Sequence, residues 1–147
     1  MTEGLEAFLQ YAAVFVLAAT PWIELMVVIP AGAALGLPVT PVTVTALIGN
    51  ALPVLGIVVL FQAWERRRGP VQRTWGDRAT RIWRRAGLPG LALSGPVVTG
   101  IHLATVMALA LGSPKRTTAW WMVVSLVLWA VVTAVLTALG VAWLTGG

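Results

Sequence analysis

Glu24, Asn50 and His102 are the side chains with the most chemistry in the least polar surroundings of this chain. Glu24 is the one acid in the apolar stretch Trp22–Leu37. A carboxylate held in an apolar medium is costly and is by default a functional group. Burial disfavours the charged form, so such a group can exchange protons near neutral pH. Glu24 could therefore carry a coupling proton or bind a cationic substrate. The plainer alternative leaves it near a membrane surface, beside Thr20-Pro21-Trp22, capping a half-helix.

His102 is the single histidine and follows a break at Gly95-Pro96 and Gly100. Its imidazole titrates in the physiological range and suits a proton relay. As a neutral ring it would instead bond one backbone carbonyl freed by the break. Asn50 lies in Gly49-Asn50-Ala51-Leu52-Pro53, where Pro53 removes a helical hydrogen bond. Its amide could bond a hairpin tip or a substrate, although gluing helices together is the commoner role. Thr99 and Ser94 add hydroxyls beside the second break. No Ser/His/Asp arrangement, phosphate-binding glycine loop or metal-spaced set of acids accompanies them. Neither a catalytic set, a metal site nor a cofactor is expected, and the chain reads as a transporter more than an enzyme.

The elements that must position these residues follow from composition. Of 147 residues, 59% are hydrophobic and 10% charged, against about 45–50% and ~25% in soluble domains. The chain is expected to be an all-α integral membrane protein forming one membrane domain, residues 1–147. Its halves are residues 5–64 and 87–145, joined by a basic loop and interfacial helix at 65–86. The N-terminus carries Glu3 and Glu6 where a signal peptide needs Lys or Arg, so Leu5–Ala19 reads as a retained membrane helix. Val42–Trp64 and Thr117–Leu144 are each long enough to cross a ~30 Å hydrocarbon core. With Leu5–Ala19 these make three spanning helices. Trp22–Leu37 and Leu88–Gly112 are apolar but interrupted by Pro and Gly.

Charge sets a direction. All ten basic residues lie between Arg66 and Arg85 or at Lys115-Arg116, and short Lys/Arg-rich loops stay cytoplasmic. Both clusters are cytoplasmic if Leu88–Gly112 enters and returns as a re-entrant hairpin; a single crossing would separate them. The hairpin reading gives Pro30, Gly32, Pro96 and Gly100 the role of shaping the breaks. Five full crossings are the competing topology. In the hairpin topology the N-terminus and basic loops are cytoplasmic and the C-terminus is outside, in the plasma membrane. Trp64, Trp75, Trp83, Trp120 and Trp121 then sit near the inner interface, and Trp22 and Trp143 near the outer. Val71, Trp75, Ala79, Ile82 and Ala86 recur at helical spacing with Arg78, Arg81 and Arg85 on a separate stripe. That pattern describes an interfacial amphipathic helix whose arginines meet lipid headgroups. Membrane lipids thus account for the basic surface, and no nucleic-acid partner is expected.

The halves are related. Ala34-Leu35-Gly36-Leu37-Pro38 reappears as Ala110-Leu111-Gly112-Ser113-Pro114, an offset of 76. Each copy closes a broken apolar stretch and opens a long unbroken one, a pattern that points to a transporter's binding site. Because the copies face opposite sides, the two hairpins form an inverted repeat. The offset sets Glu24 opposite Gly100, so the hairpins could bring Glu24 and His102 to one midplane site.

The spacing Glu24-x5-Pro30-x-Gly32-x3-Gly36-x-Pro38, then Gly49-Asn50-x2-Pro53, an Arg-rich loop, and Pro96-x2-Thr99-Gly100 before Ala110-Leu111-Gly112 resembles the small multidrug export proteins. The resemblance covers roughly residues 22–145. That family is itself similar to the DedA-like membrane proteins, which have paired re-entrant hairpins. The resemblance marks Glu24, Pro30, Gly32, Asn50, Thr99 and Gly100. Two positions depart from it: Met26 and Val27 stand where an Arg is common, and His102 where an aromatic is usual. The missing Arg weighs against a lipid-phosphate site there, and the added imidazole favours proton handling.

The function expected is proton-coupled export of small cationic or amphipathic compounds by a homodimer or larger assembly. Glu24, His102, Asn50 and Thr99 form the binding set. One alternative is a flippase or scramblase of anionic or polyprenyl-phosphate lipids, which the interfacial arginines would gather. Another is a membrane-embedded enzyme acting on a hydrophobic substrate.

Overall fold

The computed structural model describes the backbone of residues 2–69 and 77–146 and the side chains of residues 4–69 and 87–146. Every regular element among them is helical: α1 (Thr2–Ala19), α2 (Leu25–Ala34), α3 (Val39–Arg68), α4 (Asp77–Val98), α5 (Ile101–Ala110) and α6 (Lys115–Thr145). Adding 76 to both bounds of α2 gives the bounds of α5, and adding 76 to the start of α3 gives the start of α6. The repeat is therefore one of three-helix modules, α1–α3 and α4–α6.

The duplicated pentapeptide is a helix stop. At the end of α2 the Leu37 N–H donates to the Gly32 carbonyl (3.1 Å) and the Gly36 N–H to Ala33 (2.9 Å). At the end of α5 Ser113 donates to Ala108 (3.1 Å) and Gly112 to Leu109 (3.0 Å). This is the Schellman arrangement, whose left-handed residue is the glycine; Gly36 and Gly112 have φ of 83° and 85°. The proline two residues later cannot continue the helix. Its carbonyl instead accepts the first bond of the next helix, from Val42 at Pro38 and from Thr118 at Pro114.

The reversal before α2 lies elsewhere than Pro30 and Gly32 suggested, and the one before α5 lies at Gly100 rather than at Pro96. Pro30 and Gly32 sit inside α2, and Pro96 inside α4. The chain turns at 20–24 and again at 99–100. Of the residues expected to shape breaks, only Gly100 lies at one; it has φ 82° and N-caps α5. A ten-residue helix tolerates an internal proline when packing holds it, and the cost is one backbone hydrogen bond.

Only α3 and α6 are long and apolar enough to cross a membrane among the described residues. A third spanning helix at Leu5–Ala19 was expected. Its fifteen residues reach about 22 Å at ~1.5 Å each, short of a ~30 Å core. α4 is kinked at Gly87, where φ is 58° and ψ −167°. The side chains of Arg78, Arg81 and Arg85 lie outside the described residues.

Contacts divide the chain into two units, 1–52 with 126–147 and 53–125. Each unit takes one short-helix pair, the first half of one long helix and the second half of the other. In the first unit, a Cβ on Gly32 would lie 2.8 Å from Val42 Cγ1, so α2 packs against α3 with no room for a side chain. A Cβ on Gly49 would lie 2.6 Å from the Phe15 carbonyl oxygen, so α3 is as tight on α1. In the second unit, α4 and α5 meet where a Cβ on Gly95 would lie 2.7 Å from Ala104 Cβ. Ser125 of α6 donates to the Ala92 carbonyl of α4 at 2.6 Å.

The buried faces repeat as well. Leu25, Val28, Ile29 and Gly32 are buried on α2, and their counterparts Ile101, Ala104, Thr105 and Ala108 on α5. This i, i+3, i+4, i+7 stripe is one helix face. Thr105 joins the apolar set because its hydroxyl donates to the Ile101 carbonyl within its own helix (2.7 Å).

Candidate functional site

Glu24 is the residue that starts α2. Its backbone is extended (φ −82°, ψ 154°), and its carbonyl accepts the N–H groups of Val27 (2.9 Å) and Val28 (3.2 Å). Its side chain makes no capping bond to the helix. It is nonetheless only 7% exposed. Glu24 thus occupies the N-cap position of α2 through its backbone, with its side chain buried.

Asn50 lies on the stripe Val42, Ala46, Asn50, Val54 of α3, and all four are 0% exposed. Neither its Oδ1 nor its Nδ2 has a hydrogen-bond partner among the described residues. A buried polar group left in that state costs about 1–3 kcal/mol, so the fold alone gives no reason for it. Pro53 adds to the polarity, because it has no N–H to offer the carbonyl of Gly49, four residues back.

Glu24 and Asn50 are both buried in the first unit. The α2–α3 hairpin is pinned near its turn by Gly32 against Val42. Glu24 precedes Gly32 by eight residues and Asn50 follows Val42 by eight, each about 12 Å along its helix. Glu24 brings a carboxylate, Asn50 an amide oxygen and Gly49, the residue before it, a carbonyl without a helical donor. All are acceptors, which is the donor set a proton, an ammonium group or another hard cation takes.

The second repeat lacks this set. The counterparts of Glu24 and Asn50 are Gly100 and Leu126, and Leu126 is fully buried. His102, in the second unit, is the second residue of α5 and 7% exposed. Its counterpart in the first repeat is Met26. Thr99 is half-buried, with its N–H on the Gly95 carbonyl (3.0 Å) and its hydroxyl near the Gly100 carbonyl (3.4 Å). Ser94 is exposed and donates to Gly90 within α4 (2.7 Å).

Two polar relationships went unread in the sequence. One is the Ser125–Ala92 bond. The other is an ion pair between Glu65, in the last turn of α3, and Lys115, the first residue of α6. A lone Glu before three arginines gave no pointer to a lysine fifty residues on.

A family model described as "Putative small multi-drug export protein" matches residues 24–132. No curated protein and no solved structure matches the chain. The family match begins at Glu24 and takes in Asn50 and His102.

Proposed function

The chain belongs to the family of small multidrug export proteins, and from that premise we propose that Glu24 and Asn50 are its cation site, occupied in turn by a coupling proton and a cationic substrate. The family and the two long apolar helices point to a membrane location. What carries the proposal is the fully buried Asn50 amide, without a hydrogen-bond partner among the described residues, in the unit that also buries the Glu24 carboxylate. Exclusive occupancy couples the two: a carboxylate that holds a proton has lost the charge that holds the substrate.

The topology that supports this reading has re-entrant hairpins. The Glu65–Lys115 pair ties the end of α3 to the start of α6, so the chain between them leaves and returns on one side. That favours a re-entrant α4–α5 over a single crossing and keeps both basic clusters cytoplasmic, as the charge rule requires. By the repeat, α1–α2 is the matching hairpin from the outer side. The N-terminus, with Glu3, Glu6 and no basic side chain before Arg66, then falls outside rather than in the cytoplasm. Ten residues make α2 and α5 each about 15 Å long, half of a ~30 Å core. Glu24 and His102 thus stand at mid-depth on their own hairpins, and His102 is assigned to proton handling. Two spanning helices enclose little space, so assembly with further copies is part of the proposal.

The test is transport of a cationic dye by purified protein in proteoliposomes under an imposed pH gradient. Glu24→Gln is expected to abolish the pH-driven component while the protein still inserts and stays folded. Gradient-driven transport at the wild-type rate would sink the mechanism.

A further inference from the structure

At the basic end of the second unit, a cavity of about 270 Å³ is lined by Gln62, Glu65 and Arg66 of α3 and Lys115 of α6. We propose that this corner binds the phosphate of one anionic phospholipid, its acyl chain lying along α3.

Charge is the first argument. Glu65 is spent on Lys115, and Arg66 has no ion pair among the described residues. Two cations against one carboxylate leave the cavity with one net positive charge. A guanidinium beside an amide is suited to phosphate oxygens, since its planar donors meet two of them at once. The volume lies below the ~300–1,000 Å³ of clefts for drug-sized ligands, which suits a headgroup better than an exported compound.

Depth and continuity select a lipid over free phosphate. Trp64 and Trp120, 45% and 66% exposed, flank the corner on its two helices, and exposed tryptophans mark the headgroup level. Leu55, Val59, Gln62 and Arg66 follow at spacings of four, three and four, one face of α3. Leu55 and Val59 are exposed. The face therefore runs from a basic polar end into an open apolar track, as a lipid does.

The charges are not a requirement of the repeat itself, because the counterparts of Gln62, Glu65, Arg66 and Lys115 are the apolar Ala138, Val141, Ala142 and Val39.

The experiment is native mass spectrometry of the detergent-purified full chain with phosphatidylglycerol, phosphatidylcholine or inorganic phosphate added. Preferential retention of one phosphatidylglycerol is expected. Arg66→Ala should lower it about fivefold, the effect of one basic residue at an anionic surface, while Arg67→Ala, outside the cavity, changes it little. Glu65→Gln adds a net positive charge and should strengthen retention. Equal losses from Arg66→Ala and Arg67→Ala would reduce the effect to diffuse charge and overturn the site. So would equal retention of phosphatidylcholine, or weaker retention in Glu65→Gln. Displacement of the lipid by inorganic phosphate at equal concentration would overturn the assignment to a lipid.

Discussion

The hydroxyl of Ser125 donates to the carbonyl of Ala92 at 2.6 Å, and Ala92 is the residue whose carbonyl Pro96 deprives of its helical partner. A helix bonds each N–H to the carbonyl four residues back, and Pro96 has none to give. α6 thus repairs α4. In the first repeat the counterpart of Ser125 is Gly49, where α3 instead comes so close to the Phe15 carbonyl that no Cβ fits. One position of the module faces a backbone carbonyl of the neighbouring helix in both repeats, Ala92 in one and Phe15 in the other. It does so by a donor where proline has removed an N–H and by bare backbone where it has not.

Ser125→Ala should destabilise the protein by about 1–3 kcal/mol, the cost of a buried group left unbonded. The same substitution in a Pro96→Ala background should cost less, because residue 96 then supplies its own N–H. Gly49→Ala should cost a similar ~1–3 kcal/mol by overpacking against a carbonyl that cannot swing away. Thermal unfolding in detergent measures all four, and equal costs of Ser125→Ala in both backgrounds would refute the coupling.

Asn50→Leu imposes on the first repeat the residue that the second carries, fully buried, at Leu126. It should raise stability by about 1–3 kcal/mol by removing an unbonded buried amide and abolish cation transport. Stability gained where function is lost is the pattern of a residue kept for activity. Wild-type transport in the stabilised variant would show that Asn50 only glues helices.

His102→Met installs the side chain of its counterpart, Met26. The short helix should form as before, since α2 carries methionine there. A proton-handling imidazole predicts that the pH dependence of transport flattens between about pH 5 and 8, the range in which histidine changes charge. An unaltered pH profile would confine His102 to packing.

Trp22 is the one non-glycine residue with positive φ among the described residues, at 79°. It follows Pro21 in a turn closed by the Ile23 N–H on the Thr20 carbonyl (3.1 Å), the position at which a type II turn wants glycine. A left-handed backbone costs an ordinary residue about 1–2 kcal/mol, and glycine's extra chain freedom offsets part of the relief. Trp22→Gly should therefore stabilise by roughly 0.5–1 kcal/mol. A lower melting temperature would indicate that the indole holds the turn through contacts of its own.

Much of this was legible in the chain itself. The offset of 76 was visible in one pentapeptide, because a helix stop needs glycine's positive φ and a following proline, and few other residues serve. Glu24, Asn50 and His102 stood out because polar groups are rare where 59% of residues are hydrophobic. Gly100 was legible as a break, but Pro30 and Pro96 were misread as breaks because they are breakers only in isolation. Packing in α2 and the Ser125 hydroxyl keep both inside helices, and neither effect is local.

Composition, the repeat and the spread of arginines are properties of the chain alone, and they determined the helical class, the modular plan and the candidate polar residues. Tertiary structure decided what sequence distance conceals. It buried Glu24 and Asn50 in one unit and closed Glu65 onto Lys115. It also left the Asn50 amide buried with no hydrogen-bond partner among the described residues. Whether a polar side chain is satisfied depends on which helix faces it, and that is settled only when the helices pack.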